Sequence, residues 1–311
     1  MTSSIGIIGA NPAWQKTLLF DEQHYNGINR AREYLAFPAG KGVNFARALK
    51  IHGTFTPELF QFVGGETGRR LVNGLSGEGI FCHNIRIAGE NRTCTTCLGA
   101  RDQSMTELIE PSPAVTAAES TAFLELLENH IDDFAALALC GTMPAMADAA
   151  FQTRCAAVGA RHGKLLLIDA YCHIEPILES GAPVLLKINR AELAALTGRE
   201  EVPAALKFLA ARYRLRGAAI TDGGAPAHLL HEGGIATFTL PPLPKIVNPL
   251  GSGDCASAVL LAEYLSHGDP VAAFREALAA ASANCLSARC AEFRRDDARA
   301  IAAGIVIGTA S

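Results

Sequence analysis

Short, almost uncharged apolar runs separated by longer amphipathic stretches recur through most of the chain, and this alternation limits the fold more than any other feature. The runs are residues 5–9 (IGIIG), 59–63 (LFQFV), 137–141 (LALCG), 164–169 (KLLLID), 184–188 (VLLKI) and 217–221 (GAAIT). A strand that reads as a continuous apolar run is buried on both faces, which is the environment of a parallel sheet covered by helices on each side. Residues 116–131 and 147–163 carry helical patterns between such runs. The expected class is α/β, a three-layer α/β/α sandwich with a mainly parallel sheet.

Two segments break the rhythm. Residues 15–37 are polar without a helical period, and 83–110 alternate in the manner of exposed strands. Together they predict a small β-lid beside the main sheet. No repeat, low-complexity tract or Pro/Ser-rich linker divides the 311 residues, a length at which single α/β domains are common. One domain over 1–311 with the lid inserted in it is expected.

Net charge is −4, so there is no basic footprint for nucleic acid or for an anionic membrane surface. Nowhere do about 18 uncharged apolar residues follow one another, the length a membrane helix needs, and the opening MTSSIGIIGANPAW lacks a basic flank. A cytoplasmic protein acting on small molecules is expected. The nine cysteines are scattered and odd in number, as reduced thiols are. Cys94 and Cys97 form a lone CxxC with no second pair, and free cysteine packs as a small hydrophobe.

Familiar nucleotide motifs fail on their spacing. IGIIGANP does not spell GxGxxG before a helix, and PAGKGVN has Leu35 and Gly42 where a P-loop needs glycine and Ser or Thr. The stretch NPLGSGDCASAVLL (248–261) is more informative. Apolar Ala256, Val259, Leu260 and Leu265 recur at helical spacing, so a helix begins near Gly253. Gly251, Ser252 and Gly253 would then offer unblocked N–H groups at a helix N-terminus, where anions bind. Ser252 or Asp254 could simply cap the helix. Glycines on both sides of the serine suggest instead a bulky anion brought close to the backbone, and an acid placed there suggests a general base for an attacking hydroxyl.

NPLGSGD resembles the C-terminal signature of the ribokinase/PfkB family of carbohydrate kinases, and FPAGKGVNFARALKIHG (37–53) is similar to the family's GGKGxNxA signature. Between them NPAWQKT (11–17), GINRARE (27–33), NRTCTTC (91–97), CGTMP (140–144), IDAYC (168–172) and KINRAE (187–192) resemble segments of the branch that contains 1-phosphofructokinase and tagatose-6-phosphate kinase. The resemblance covers nearly the whole chain. It implies a ribokinase-like fold and ATP-dependent phosphorylation of a sugar phosphate to a bisphosphate. The acceptor would be a ketohexose phosphate such as fructose 1-phosphate, fructose 6-phosphate or tagatose 6-phosphate.

The resemblance also implies roles for single residues. Asp254 would be the base and Gly251, Ser252 and Gly253 the anion hole. Gln15, Arg30, Gly40, Lys41, Asn44 and Arg92 would bind the sugar, the two arginines holding its phosphate through their planar forks. Asn189, Glu192, Thr221, Gly223 and Asn284 would bind ATP, with Mg2+ at Glu192. The chain departs from the family pattern at Gln15, where an aspartate is usual, at Ala39 in the first glycine of GGKG, and at Pro226 in TDGGAPA, where a second glycine is expected. The competing readings are a kinase of an unphosphorylated sugar or nucleoside and a non-catalytic sugar-phosphate sensor. Exposed lid edges could pair two copies as a homodimer.

Overall fold

The structure is a computed structural model that describes residues 3–24, 26–101, 104–146 and 148–310. Tyr25, Asp102, Gln103 and Ala147, which fall within the lid segments and a helix expected above, lie outside the described residues. In chain order the strands are β1 (Ser4–Ile8), β2 (Ala13–Phe20), β3 (Glu33–Ala39), β4 (Thr56–Val63), β5 (Phe81–Arg86), β6 (Arg92–Gly99), β7 (Met105–Ile109), β8 (Ala114–Val115), β9 (Phe134–Cys140), β10 (Ala145–Met146), β11 (Leu165–Asp169), β12 (Val184–Asn189), β13 (Leu215–Thr221), β14 (Ala227–His231), β15 (Gly234–Thr239) and β16 (Val306–Ala310). The helices are α1 (Lys41–His52), α2 (Gly65–Gly77), α3 (Ala117–His130), α4 (Phe151–Arg161), α5 (Glu175–Glu179), α6 (Arg190–Thr197), α7 (Val202–Arg212), α8 (Ser252–His267), α9 (Pro270–Asn284) and α10 (Arg295–Ala302).

Ten strands form the main sheet in the order β16-β15-β14-β13-β12-β11-β9-β1-β4-β5. All pairings from β13 to β5 are parallel, and the six apolar runs are strands of this region. The expected α/β sandwich is the observed one. Parallel neighbours need long crossovers, which the helices supply. The chain then departs from the expectation at one end, where β13 to β16 turn back antiparallel. There Glu232 and Gly233 join β14 to β15 in a two-residue hairpin, a connection short enough to reverse a strand but not to cross over one.

Period-two geometry divides each parallel strand between two cores. Along β9, Ala136, Ala138 and Cys140 join the core shared with α1, α8 and α9, while Leu137 and Leu139 join the core under α3 and α4. In β11, Leu167 faces the first layer and Leu166 and Ile168 the second; in β12, Leu185 faces the first and Leu186 and Ile188 the second. Every residue of α8 from Asp254 to Ala262 is buried, which agrees with a helix that is apolar around its whole circumference and sits inside a layer. Its N-terminus is thereby held rigidly over the strand ends.

The lid is a separate four-stranded sheet, β3-β2-β6-β7. Its second segment is shorter than expected. Residues 81–86 form β5, the edge of the main sheet, paired in parallel with β4. An edge strand shows one half-exposed face, so its alternation reads like that of a lid strand.

One glycine of PAGKGVN has a packing cause. Helix α1 approaches β1 so closely that a Cβ on Gly9 would lie 2.8 Å from Gly42 Cα. Gly42→Ala is expected to cost about 2–3 kcal/mol, because backbone cannot yield as a side-chain tip can. Denaturant unfolding measures it, and an unchanged midpoint would refute the packing role.

Candidate active site

The carboxyl ends of β9, β11 and β12 place three side chains in one cross-strand row. Register pairs Asp169 with Cys140, and Leu167 and Ile168 with Leu185 and Leu186, so Asp169 stands beside Lys187. Odd-numbered residues of β11 and β12 face the α1/α8 layer, so both side chains point at the N-terminus of α8. A wide cavity of about 1030 Å³ opens above this row. It is lined by Gln15, Arg92 and Glu107 of the lid, by apolar Leu243, Ile246 and Leu278, and by Asp254. That exceeds what one small ligand fills and leaves room for two.

Helix α8 begins at a left-handed Gly251, φ 83°, where a Cβ would meet Ala291 N at 2.7 Å. No other residue type fits that bend without strain. The turn differs in one respect from the expected trio of donors. The Ser252 N–H donates to Pro249 O at 3.2 Å, so the donors without a partner among the described residues are the N–H groups of Gly251, Gly253 and Asp254. The Ser252 hydroxyl donates to Pro249 O at 2.6 Å and accepts from Asn284 Nδ2 at 3.1 Å. Asn284 also donates to Leu250 O at 3.0 Å and is fully buried. It is not among the residues that line the cavity; its amide braces the turn.

Asp254 is 7% exposed and accepts from Asn44 Nδ2 at 2.7 Å. Burial, reinforced by the nearby Asp169 charge, raises its pKa to about 6, against the opposing pull of Lys41, Asn44 and Lys187. Asp169 resists the same burial penalty: the charges of Lys187 and Lys41 hold its carboxyl below its ordinary value. Lys41 Nζ donates to Asp169 Oδ1 at 2.8 Å, and Ser257 Oγ lies 2.5 Å from Asp169 Oδ2. Burial disfavours the Lys41 ammonium, yet Asp169, Asp254 and Glu192 raise its pKa overall. Two neighbouring buried carboxylates thus have displaced proton affinities in opposite directions, the arrangement by which a site separates a structural anion from a working base.

Asp169 and Lys187 were not among the residues singled out in the sequence. Lys187 is 3% exposed, and a Cβ on Gly253 would lie 2.9 Å from its Nζ. No carboxylate among the described residues pairs with it. Its signal is a lysine inside a buried apolar run, where a charge is costly without a task.

Of the expected sugar-binding residues, Gln15, Gly40, Lys41, Asn44 and Arg92 line the cavity. Gln15 Nε2 donates to Thr96 Oγ1 at 2.8 Å, leaving Oε1 as the end a ligand can use. Arg92 Nη2 reaches Asn11 O at 3.4 Å, and its buried Nε has no partner among the described residues. Arg30 does not join them. It is exposed in the loop between β2 and β3 and lies outside the cavity lining.

Asn189, Glu192, Thr221 and Gly223 also line the cavity. Asn189 and Glu192 form a reciprocal capping box at the start of α6, each side chain bonded at 2.9 Å to the other's backbone N–H. The remaining Glu192 oxygen, Oε1, is 3.4 Å from Lys41 Nζ. It is the one Glu192 oxygen outside the capping box, and Mg2+ that keeps its waters and takes further ligands from phosphates would share it with Lys41. Pro226 stands just before β14, so its missing N–H removes no bond from the ladder.

A family model for pfkB family carbohydrate kinases matches residues 10–296. Among solved structures, a Thermotoga maritima protein described as a possible 1-phosphofructokinase superposes with a TM-score of 0.89 at 17% identity, over 99% of this chain and 100% of that one. Escherichia coli phosphofructokinase-2 in complex with fructose-6-phosphate gives 0.85 at 20% identity, over 97% of this chain and 99% of that one. Its tetrameric inhibited form gives 0.85 at the same identity, over 97% and 99%. Identities this low show a shared fold.

Proposed function

The chain belongs to the pfkB family of carbohydrate kinases, and on that premise we propose that it transfers the γ-phosphoryl group of magnesium-ATP to a hydroxyl of a ketohexose phosphate, giving a bisphosphate. The observation that carries this reading is Asp254. It is a buried carboxylate with a raised proton affinity that lines the cavity beside helix N-terminal donors without a partner among the described residues. A protein that only binds sugar phosphate has no use for a base there.

Asp254 takes the proton from the acceptor hydroxyl as that oxygen attacks phosphorus. The N–H groups of Gly251 and Gly253, with Lys187 beneath them, stabilise charge on the phosphoryl oxygens. Glu192, through Oε1, would hold the magnesium that arrives with ATP, and a cation there neutralises phosphate charge. Thr221, Gly223 and the apolar wall from Leu243 to Leu278 seat the nucleotide. Gln15 Oε1 accepts from a sugar hydroxyl, more weakly than a carboxylate would. Arg92, with its unpartnered buried Nε, receives the sugar's own phosphate.

The position of Arg30 favours a second reading, a kinase of an unphosphorylated sugar or nucleoside, since one arginine rather than two reaches the cavity. A coupled ADP-release assay over fructose 1-phosphate, fructose 6-phosphate, tagatose 6-phosphate and the free sugars separates the two. Turnover confined to phosphorylated acceptors supports the first, and turnover of free sugars alone overturns it. Thermal stabilisation by magnesium-ATP would exclude a sensor that responds to sugar phosphate only.

We extend the proposal to a homodimer through the lid in a cytoplasmic setting. All nine cysteines are free. No helix among the described residues is long and apolar enough to cross a membrane. The lid exposes Tyr34 at 58% and Leu108 at 59%, apolar area that a second lid would cover. A monomeric mass by light scattering at micromolar concentration would refute the dimer.

A further inference from the structure

One buried arginine lies outside every role assigned so far. Arg47, on α1, is 4% exposed. Its guanidinium donates to five acceptors on four residues. Nε reaches Glu78 Oε2 at 2.8 Å, and Nη2 reaches Glu78 Oε1 at 3.0 Å and Pro38 O at 2.7 Å. Nη1 reaches Asn44 Oδ1 at 3.3 Å and Cys290 O at 3.4 Å. Glu78 is also paired with Arg289, whose guanidinium lies 5.0 Å from the Phe37 ring centroid, and Arg289 bonds Glu292.

The bond to Asn44 matters because of what an amide can do. One end of the Asn44 side chain accepts and the other donates. With Oδ1 held by Arg47, and by Cys290 Sγ at 3.4 Å, Nδ2 is the end left to face Asp254. Were the amide turned over, a carbonyl oxygen would oppose the carboxylate.

We propose that Arg47 is the positioning residue of Asp254: it holds Asn44 in the one orientation that donates to the carboxylate, and through Pro38 O it ties that orientation to the root of lid strand β3. This rests on the kinase reading only for Asp254 being a base; the network itself does not depend on it. Asn44 lowers the proton affinity of Asp254, as Lys41 and Lys187 do, whereas burial and Asp169 raise it. Cys140, Cys255 and Cys290 also stand close to this carboxylate, on β9, on α8 and in the segment after α9. Losing the Asn44 donor therefore moves the midpoint upward.

Carboxyl-carbon NMR of the full chain labelled at aspartate tests this directly, with the Asp254 resonance identified by its loss in Asp254→Asn. In Arg47→Lys, which keeps the charge but not the five-donor fork, the Asp254 midpoint is expected to rise by roughly half to one pH unit. Should that variant fold poorly, Arg47→Met with Glu78→Gln removes both buried charges and makes the same prediction. On an Asn44→Ala background, Arg47→Lys is expected to add nothing further. If the kinase turns over, the acid limb of its pH profile shifts with the midpoint. An unchanged midpoint in both Arg47 variants, or an equal shift on the Asn44→Ala background, overturns the proposal. Wild-type protein that phosphorylates no sugar would overturn the kinase reading, and the NMR titration would still decide the role of Arg47.

Discussion

Asp254→Asn is expected to lower kcat by roughly 10²- to 10⁴-fold, the usual worth of a positioned general base, while KM for sugar and for ATP change little. The same substitution is expected to stabilise the fold. Because the folded pKa is raised to about 6 from an ordinary 3.8, the folded chain holds this proton more tightly than the unfolded one. That contribution favours the native state below the unfolded value and is lost as pH rises through about 6. At pH 8 the buried charge costs on the order of 2–3 kcal/mol, which a neutral amide avoids. Steady-state kinetics and thermal unfolding at pH 8 together check it: lost activity with an equal or higher Tm is the expected pair. In the wild type, kcat/KM should fall on the acid side with a midpoint near pH 6. A variant that keeps wild-type kcat would remove Asp254 from the chemistry, and a strong fall in Tm would assign it a structural role.

Lys187→Met is expected to lower kcat by roughly 10²- to 10³-fold, the scale seen when one preorganised charge donor is taken from a transition state. Its ammonium sits under Gly253 and pairs with no carboxylate among the described residues, so it has charge to give to an incoming phosphoryl group. Two signs distinguish this from simple misfolding. Lys187 lowers the proton affinity of Asp254, so the acid limb of kcat should move to higher pH in the variant. Affinity for the sugar, bound at the lid end, should stay within about threefold, an effect below roughly 0.7 kcal/mol. Methionine keeps the length and apolar stem of lysine, so the buried strand should tolerate it. Equal losses of activity and stability, with the pH limb unmoved, would refute the role.

How much of this was legible beforehand can be argued from particular residues. The six apolar runs became parallel strands because a sequence buried on both faces has few other places to sit. The start of α8 was readable because glycine, small residues and helical spacing coincide in NPLGSGDCASAVLL. Residues 83–86 misled because an edge strand and a lid strand have the same half-exposed pattern, and pattern reports exposure rather than which sheet is joined. Arg30, matched by a motif, stands in the loop between β2 and β3 outside the cavity lining; a motif records distance along the chain, not where a loop comes to lie.

Asn284 and Ser252 show the same limit at closer range. Both were legible as polar residues near a phosphate loop. Which way each side chain turns was settled by packing behind the turn, where an amide bonds Leu250 O and Ser252 Oγ instead of lining the cavity.

What the chain determines by itself is local and periodic: buried strands, helix starts, the bend at Gly251 and the type of group stationed beside it. The tertiary structure alone decided that Asp169 and Lys187 share a row under Asp254, and that Arg47 reaches Asp254 through Asn44. The physical reason is that period two assigns a side chain to a face, while its neighbour across the face is set by interstrand register and by how closely α1 and α8 dock.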